Sequence, residues 1–147
     1  MKYTLLLASF LLIGFGFTQK HVAPFTGTYQ LDIDETNKVM IERGMASADE
    51  KIPENVRKQM ESITLKIKKE SISMNMMGNV RDMKFSDRAS TRKDGECDLV
   101  LILDKGKAVE GAKEKSLTIM ITGEGKIQLK SAEGNQDMDN FIWSRIE

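Results

Sequence analysis

Ile63-Thr64-Leu65-Lys66-Ile67-Lys68 and, after a short polar break, Ile72-Ser73-Met74-Asn75-Met76 place an apolar residue at every second position. Successive side chains of an extended chain point to opposite faces. This rhythm therefore gives two strands with one oily face and one wet face. Lys66, Lys68 and Lys69 form a small basic stripe, in which Lys66 and Lys68 alternate with Leu65 and Ile67 and read as a solvated strand face and not a nucleic-acid patch. A turn near Glu70 separates the two strands, and Gly78-Asn79 carries a hairpin signal after them.

Downstream the same rhythm persists. Met83 and Phe85 alternate with Asp82 and Lys84, and the polar stretch from Ser86 to Lys93 has room for another strand before the Asp94-Gly95 turn. Leu99-Val100-Leu101-Ile102-Leu103 is apolar on both faces, which predicts cover on both sides. Lys105-Gly106-Lys107 turns, Leu117, Ile119 and Ile121 alternate with Thr118, Met120 and Thr122, and Gly123-Glu124-Gly125 turns into Ile127 and Leu129. A last strand covers Phe141 to Ile146. Upstream, Tyr29, Leu31 and Ile33 share one face, and Thr28, Gln30 and Asp32 the other.

Only the stretch from Asp34 to Ser62 lacks the two-residue period. Val39 and Met40 mark a short amphipathic helix, with Asp34 or Thr36 as N-cap and Gly44 as its stop. Ile52, Val56 and Met60 fall at helical spacing for a second helix, with Pro53 in its first turn and Ser47-Ala48-Asp49-Glu50 at capping-box spacing. The fold class expected is thus mainly β: about eight antiparallel strands, up and down, with a two-helix insertion (34–62) after the first. Rolling such a sheet into a barrel removes its edges and buries its oily face. An open sheet or sandwich with the helices across one face is the alternative.

Residues 1–19 read as a secretory signal peptide: Lys2 in the n-region, an apolar run from Leu5 to about Phe17, and an exit at Gly16, Thr18 and Gln19. The run is short for a membrane span, and none follows it. The expectation is an exported protein, periplasmic or secreted, with one domain over 20–147 and no membrane span after cleavage. Its 22 basic and 22 acidic residues are interspersed, so no field draws nucleic acid or anionic lipid. Cys97, the single cysteine, allows no intramolecular disulfide. It lies beside Glu96 and Asp98, whose charge disfavours a thiolate, so it reads as buried and structural.

Catalytic chemistry is poorly served. His21 is the only histidine and sits near the expected mature N-terminus, which removes Ser-His triads and multi-histidine metal sites. Asp32/Asp34 and Asp137/Asp139 are carboxylate pairs with nothing to raise either pKa. Gly123-Glu124-Gly125 lacks the Lys-Ser/Thr of a phosphate cradle. No catalytic residue, cofactor or resident metal is assigned. Two copper readings stay open: a square-planar site on Gln19-Lys20-His21 after cleavage before Gln19, and thioether ligation by Met74, Met76, Met77 and Met83. Against the second, the period sets Met77 on the face opposite Met74 and Met76, and methionine commonly fills irregular cores.

Phe25-Thr26-Gly27-Thr28-Tyr29-Gln30-Leu31-Asp32, the long insertion, the hairpins and the terminal Phe141-Ile142-Trp143-Ser144-Arg145 together resemble small secreted bacterial lipocalin-like domains of the calycin group. In that family a Gly-x-Trp opens the first strand, and an arginine on the last strand crosses the tryptophan to close one barrel end. The resemblance implies this closing role for Gly27, Tyr29 (in place of Trp) and Arg145. It also implies a small apolar or amphipathic ligand in the interior, and a mouth loop at the insertion, where Ile52, Val56 and Met60 form a lid. The ligand-lining set expected is Leu31, Ile33, Val56, Met60, Leu65, Ile67, Met74, Met76, Phe85, Leu101, Ile119 and Leu129. The competing expectation is a filled barrel serving as a protein-interaction module, an envelope assembly factor or an inhibitor.

Overall fold

The computed structural model describes residues 21–85, 91–103, 113–131 and 138–147. The signal-peptide expectation (1–19), the segment 86–90 and the turn at 105–107 lie outside them. Among the described residues the strands are β1 (Gly27–Leu31), β2 (Thr64–Ile67), β3 (Ser71–Met76), β4 (Asn79–Phe85), β5 (Thr91–Lys93), β6 (Glu96–Leu103), β7 (Lys113–Gly123), β8 (Lys126–Ser131) and β9 (Ile142–Arg145). All neighbours run antiparallel in the order β4-β3-β2-β1-β9-β8-β7-β6-β5, and β4 returns to β6. The sheet is a closed barrel, as the alternation predicts.

The ring has eight positions, because β4 and β5 share one edge of β6. Lys84 and Phe85 pair with Ile102 and Leu101, while Thr91, Arg92 and Lys93 pair with Asp98, Cys97 and Glu96. The strand sought between Ser86 and Lys93 is thus present at its end, as β5, in line with β4.

The register fixes how far the ring is staggered. In one direction Gly27, Ile67, Ile72 and Met83 stand side by side, and Met83 comes level with Leu103, one step beyond the Lys84–Ile102 pair. In the other direction Leu31, Trp143, Ile127 and Ile121 stand side by side and reach Gly95, whose carbonyl accepts from Ile121 N at 2.7 Å. The two routes meet β6 with a mismatch of about twelve residues, counting the offset on β1. Stagger, tilt and diameter rise together, so this ring is wider than an eight-strand barrel with a shear of eight.

The helices are α1 (Ile33–Glu42) and α2 (Glu54–Glu61), both after β1. Two expectations need correction here. Ile33 is not the end of the first strand but the first residue of α1, and Asp32 is the N-cap, accepting from Glu35 N at 3.0 Å. Leu31 and Ile33 have the parity of a strand, yet Asp32 Oδ1 captures an orphan amide of the first turn, and the chain turns there. Asp32 therefore does not share a wet strand face with Asp34. Secondly, Ser47 to Glu50 opens no helix. Glu50 N donates to Ser47 O at 3.2 Å in an isolated turn, and α2 starts only after Pro53. The stop at Gly44 is as predicted: φ is +71°, and Gly44 N and Met45 N donate to Ile41 O and Met40 O, which closes α1 with a Schellman motif.

Helix α1 lies against β9 and the helical turn Met138–Asn140, and α2 lies against β1 and α1. Thr36 Oγ1 accepts from Ile142 N at 3.0 Å, and Asp32 N donates to Ile142 O at 2.8 Å. The amide of Gln128 donates to Asp139 O. The outward residues Gln128 and Ile142 of β8 and β9 are buried beneath this cover.

Candidate functional site

Inside the ring, β1, β2, β3, β4, β6, β7, β8 and β9 send side chains to one apolar cluster. Leu31 of β1, Leu65 and Ile67 of β2, Phe85 of β4, Leu101 of β6, Ile119 of β7 and Leu129 of β8 belong to it, so seven of the predicted lining residues come together. Met60 and Met74 are half-buried against the same cluster, joined by Met83 and Phe141. Cys97 is buried within it, in the structural position expected.

Three predicted lining residues are not in it. Ile33 is buried but lies outside the cluster, at the start of α1 on the outer side of the wall. Val56 is 37% exposed, because α2 turns Arg57 and Met60 toward the protein instead. Met76 is 43% exposed. It has the correct parity, but β2 pairing stops at Thr64–Asn75, one step short of Met76. Of the predicted lid, Met60 alone packs on the core; Ile52 precedes α2 and is half-buried.

One end of the barrel is closed by a polar lock. Val22 and Phe25, on and beside the helical turn Ala23–Phe25, are buried under the ring. Tyr29 Oη donates to Phe25 O at 2.8 Å and accepts from Arg145 Nη2 at 2.9 Å. Arg145 Nη2 also donates to Thr26 O at 2.9 Å and Pro24 O at 3.2 Å, and the guanidinium carbon stands 5.3 Å from the Tyr29 ring centroid. This is a cation–π contact of about 0.5–1 kcal/mol at an exposed site. Gly27 has no room for a side chain: a Cβ there would lie 2.7 Å from Glu147 O and 3.1 Å from Arg145 Nε. The chain after β9 keeps pairing with β1, with Thr28 N donating to Glu147 O at 3.0 Å.

A second polar group ties β1, α1, β8 and β9 together on the outer wall. Asp32 accepts from Ser144 Oγ at 2.7 Å and faces Lys126 Nζ at 3.2 Å, and Lys126 also reaches Glu35 at 3.5 Å. Burial pushes the Asp32 carboxyl up, but the Ser144 hydroxyl, the Glu35 amide and the Lys126 ammonium outweigh it and hold it below the ordinary aspartate value. Every member has a partner of opposite charge or a hydrogen bond, so the group serves as a tie.

Among the described residues one buried side-chain nitrogen has no hydrogen-bond partner. Trp143 is 0% exposed in the middle of the cluster, with Leu31 of β1 and Ile127 of β8 directly beside it, and its Nε1 has no hydrogen-bond partner. Phe141 meets it edge to face at 6.3 Å between centroids. Sequence reasoning placed Trp143 on the last strand without giving it a face. The signal was there: residue 143 is two before Arg145, so an arginine crossing the Tyr29 ring puts Trp143 inward as well. The methionine and histidine copper readings find no geometry among the described residues: Met76 and Met77 are exposed, Met74 is turned to the core, and Gln19 and Lys20 lie outside the description. No group of three or more His, Cys, Asp or Glu side chains able to hold a metal occurs among the described residues.

Compared with protein-family models, curated proteins and solved structures, the chain matches none.

Proposed function

We propose that this chain is an exported, non-enzymatic carrier that holds a small apolar or amphipathic molecule inside the barrel. The observation that carries this reading is the stagger of about twelve residues around eight strands. A ring of eight strands with a shear of eight is filled by its own side chains, and greater stagger makes the ring wider. The lining supports the same reading: aliphatic and aromatic side chains, with Met60, Met74 and Met83 half-buried at its margin. Unbranched thioethers adapt to an occupant at little strain. Enclosing hydrocarbon there is favourable at about 25 cal/mol per Å². Native mass spectrometry of the purified protein tests the reading. A co-purifying apolar mass, displaced by an added hydrophobic dye, is the expected result. A clean apo mass in a protein that ignores the dye overturns it.

The second reading, an interaction module, draws on the tip of the β3–β4 hairpin. There Met76, Met77 and Val80 are 43%, 61% and 59% exposed. The clean apo mass is the outcome that favours it.

A further inference from the structure

We infer that the barrel selects a ligand carrying one uncharged hydrogen-bond acceptor, an ester, ketone or amide carbonyl on an apolar body, and that Trp143 Nε1 is the donor that reads it. This rests on the binding reading above and adds the chemistry of what is bound. The indole N–H is wholly buried and unpartnered. Buried donors find a partner in the great majority of cases, so one without calls for an explanation. The cross-strand neighbours Leu31 and Ile127 carry no side-chain acceptor. A resident water is a poor partner, because an ordered buried water needs two to four polar contacts and the apolar surroundings supply this one donor.

The apolar surroundings fix the charge of the group that lies beside Trp143. Among the described residues no Lys, Arg or His is buried. The Arg145 guanidinium is at the closed end, donating to Pro24 O, Thr26 O and Tyr29 Oη, while Arg81, opposite Met74, and Lys115, opposite Leu101, share the inward parity of β4 and β7 at the other end, exposed and half-buried. An anionic carboxylate drawn in beside Trp143 would lose its hydration for a single neutral donor, which disfavours the charged form strongly. An indole N–H donates and cannot accept. An alcohol would accept from it and leave its own hydroxyl proton without a partner in an apolar tube. A carbonyl has no such proton. Its oxygen takes the N–H, and the rest of the molecule meets the aliphatic wall.

Trp143 is the sole tryptophan, so one indole N–H resonance reports on this atom alone. Methyl laurate, n-dodecane and laurate are titrated into the purified, 15N-labelled protein at neutral pH. The expected result is a downfield shift of the indole proton with methyl laurate, none with dodecane, and weak or no binding of laurate. In Trp143→Phe the ratio of methyl laurate to dodecane affinity falls about fivefold to tenfold, the range of one hydrogen bond. The wild-type resonance decides the matter even where the variant folds poorly. Binding of methyl laurate, seen at the inward methyl groups, with a stationary indole resonance overturns the assignment of Trp143. Laurate binding as tightly as its ester overturns the choice of a neutral acceptor. In both cases the carrier reading stands. If no probe perturbs any inward methyl group, the carrier reading fails, and this inference with it.

Discussion

Gly27 is where a single hydrogen atom in place of a side chain matters most. A methyl group there meets a backbone carbonyl, Glu147 O, at 2.7 Å and the Arg145 side chain at 3.1 Å. Relief requires the terminal segment to leave β1 or Arg145 to leave the Tyr29 ring. Gly27→Ala is expected to cost about 1–3 kcal/mol in urea denaturation, as overpacking does. Asp32 has two duties, capping α1 and holding Ser144 and Lys126. At neutral pH Asp32→Ala should lower stability by about 1 kcal/mol through the cap. Because the folded carboxyl sits below its ordinary value, the linked stability is whole above pH about 3.9 and is lost as pH falls through the folded value. The gap between wild type and variant is therefore expected to narrow below pH about 4, measured by denaturation at stepped pH.

At the scale of elements, the β3–β4 hairpin carries its own strain. Its two-residue turn is Met77-Gly78, with φ of +51° and +89°. Both positions are left-handed, which suits the twist of a hairpin but costs a residue with a side chain about 1–2 kcal/mol. Asparagine tolerates this region, so Met77→Asn should stabilise the protein by about 0.5–1 kcal/mol, read as a raised midpoint in thermal unfolding. This hairpin also shows what the sequence could and could not reveal. The alternation of Ile72, Met74 and Met76 made β3 legible, because period two is a local property. Where β2 stops beside it is not local, and so Met76 read as lining when it is exposed. Helix α1 was legible from Val39 to Gly44, but its start was not. Ile33 keeps strand parity, and only the capture of the Glu35 amide by Asp32 reveals the change. The inward set was largely readable for the same reason as the strands. Trp143, whose indole N–H is buried without a partner, needed the pairing of β9 with both β1 and β8 before its burial could be seen.

For the whole molecule, side-chain bonds reinforce one seam of the ring, where β1 meets β9. β1 meets β9 through Tyr29–Arg145, Gln30–Ser144 and Leu31–Trp143, reinforced by the Arg145 lock and the Asp32–Ser144 bond. Opposite, β4 meets β6 through Lys84–Ile102 and Phe85–Leu101, with β5 continuing the edge. Protection is expected to follow this reinforcement. In hydrogen exchange, amides of β1, β2 and β9 should be the slowest, and those of β5 and the β4–β6 pair the first to open below the global limit. With one cysteine and no intramolecular disulfide, nothing covalent evens out the difference.

The four strands before β5 and the four after it are thus two leaves of a book, bound along the spine where β1 meets β9 by strand pairs and side-chain locks, and along the fore-edge where β4 and β5 meet β6. Parting the fore-edge widens the space between the leaves without disturbing the spine, and without moving either helix out of its place on the outer cover. On the carrier reading proposed above, the pace at which a ligand enters or leaves is then set by Phe85 and its neighbours at the fore-edge. Shortening Phe85 to leucine should quicken that traffic, while trimming exposed positions of α2 such as Val56 should leave it unaltered.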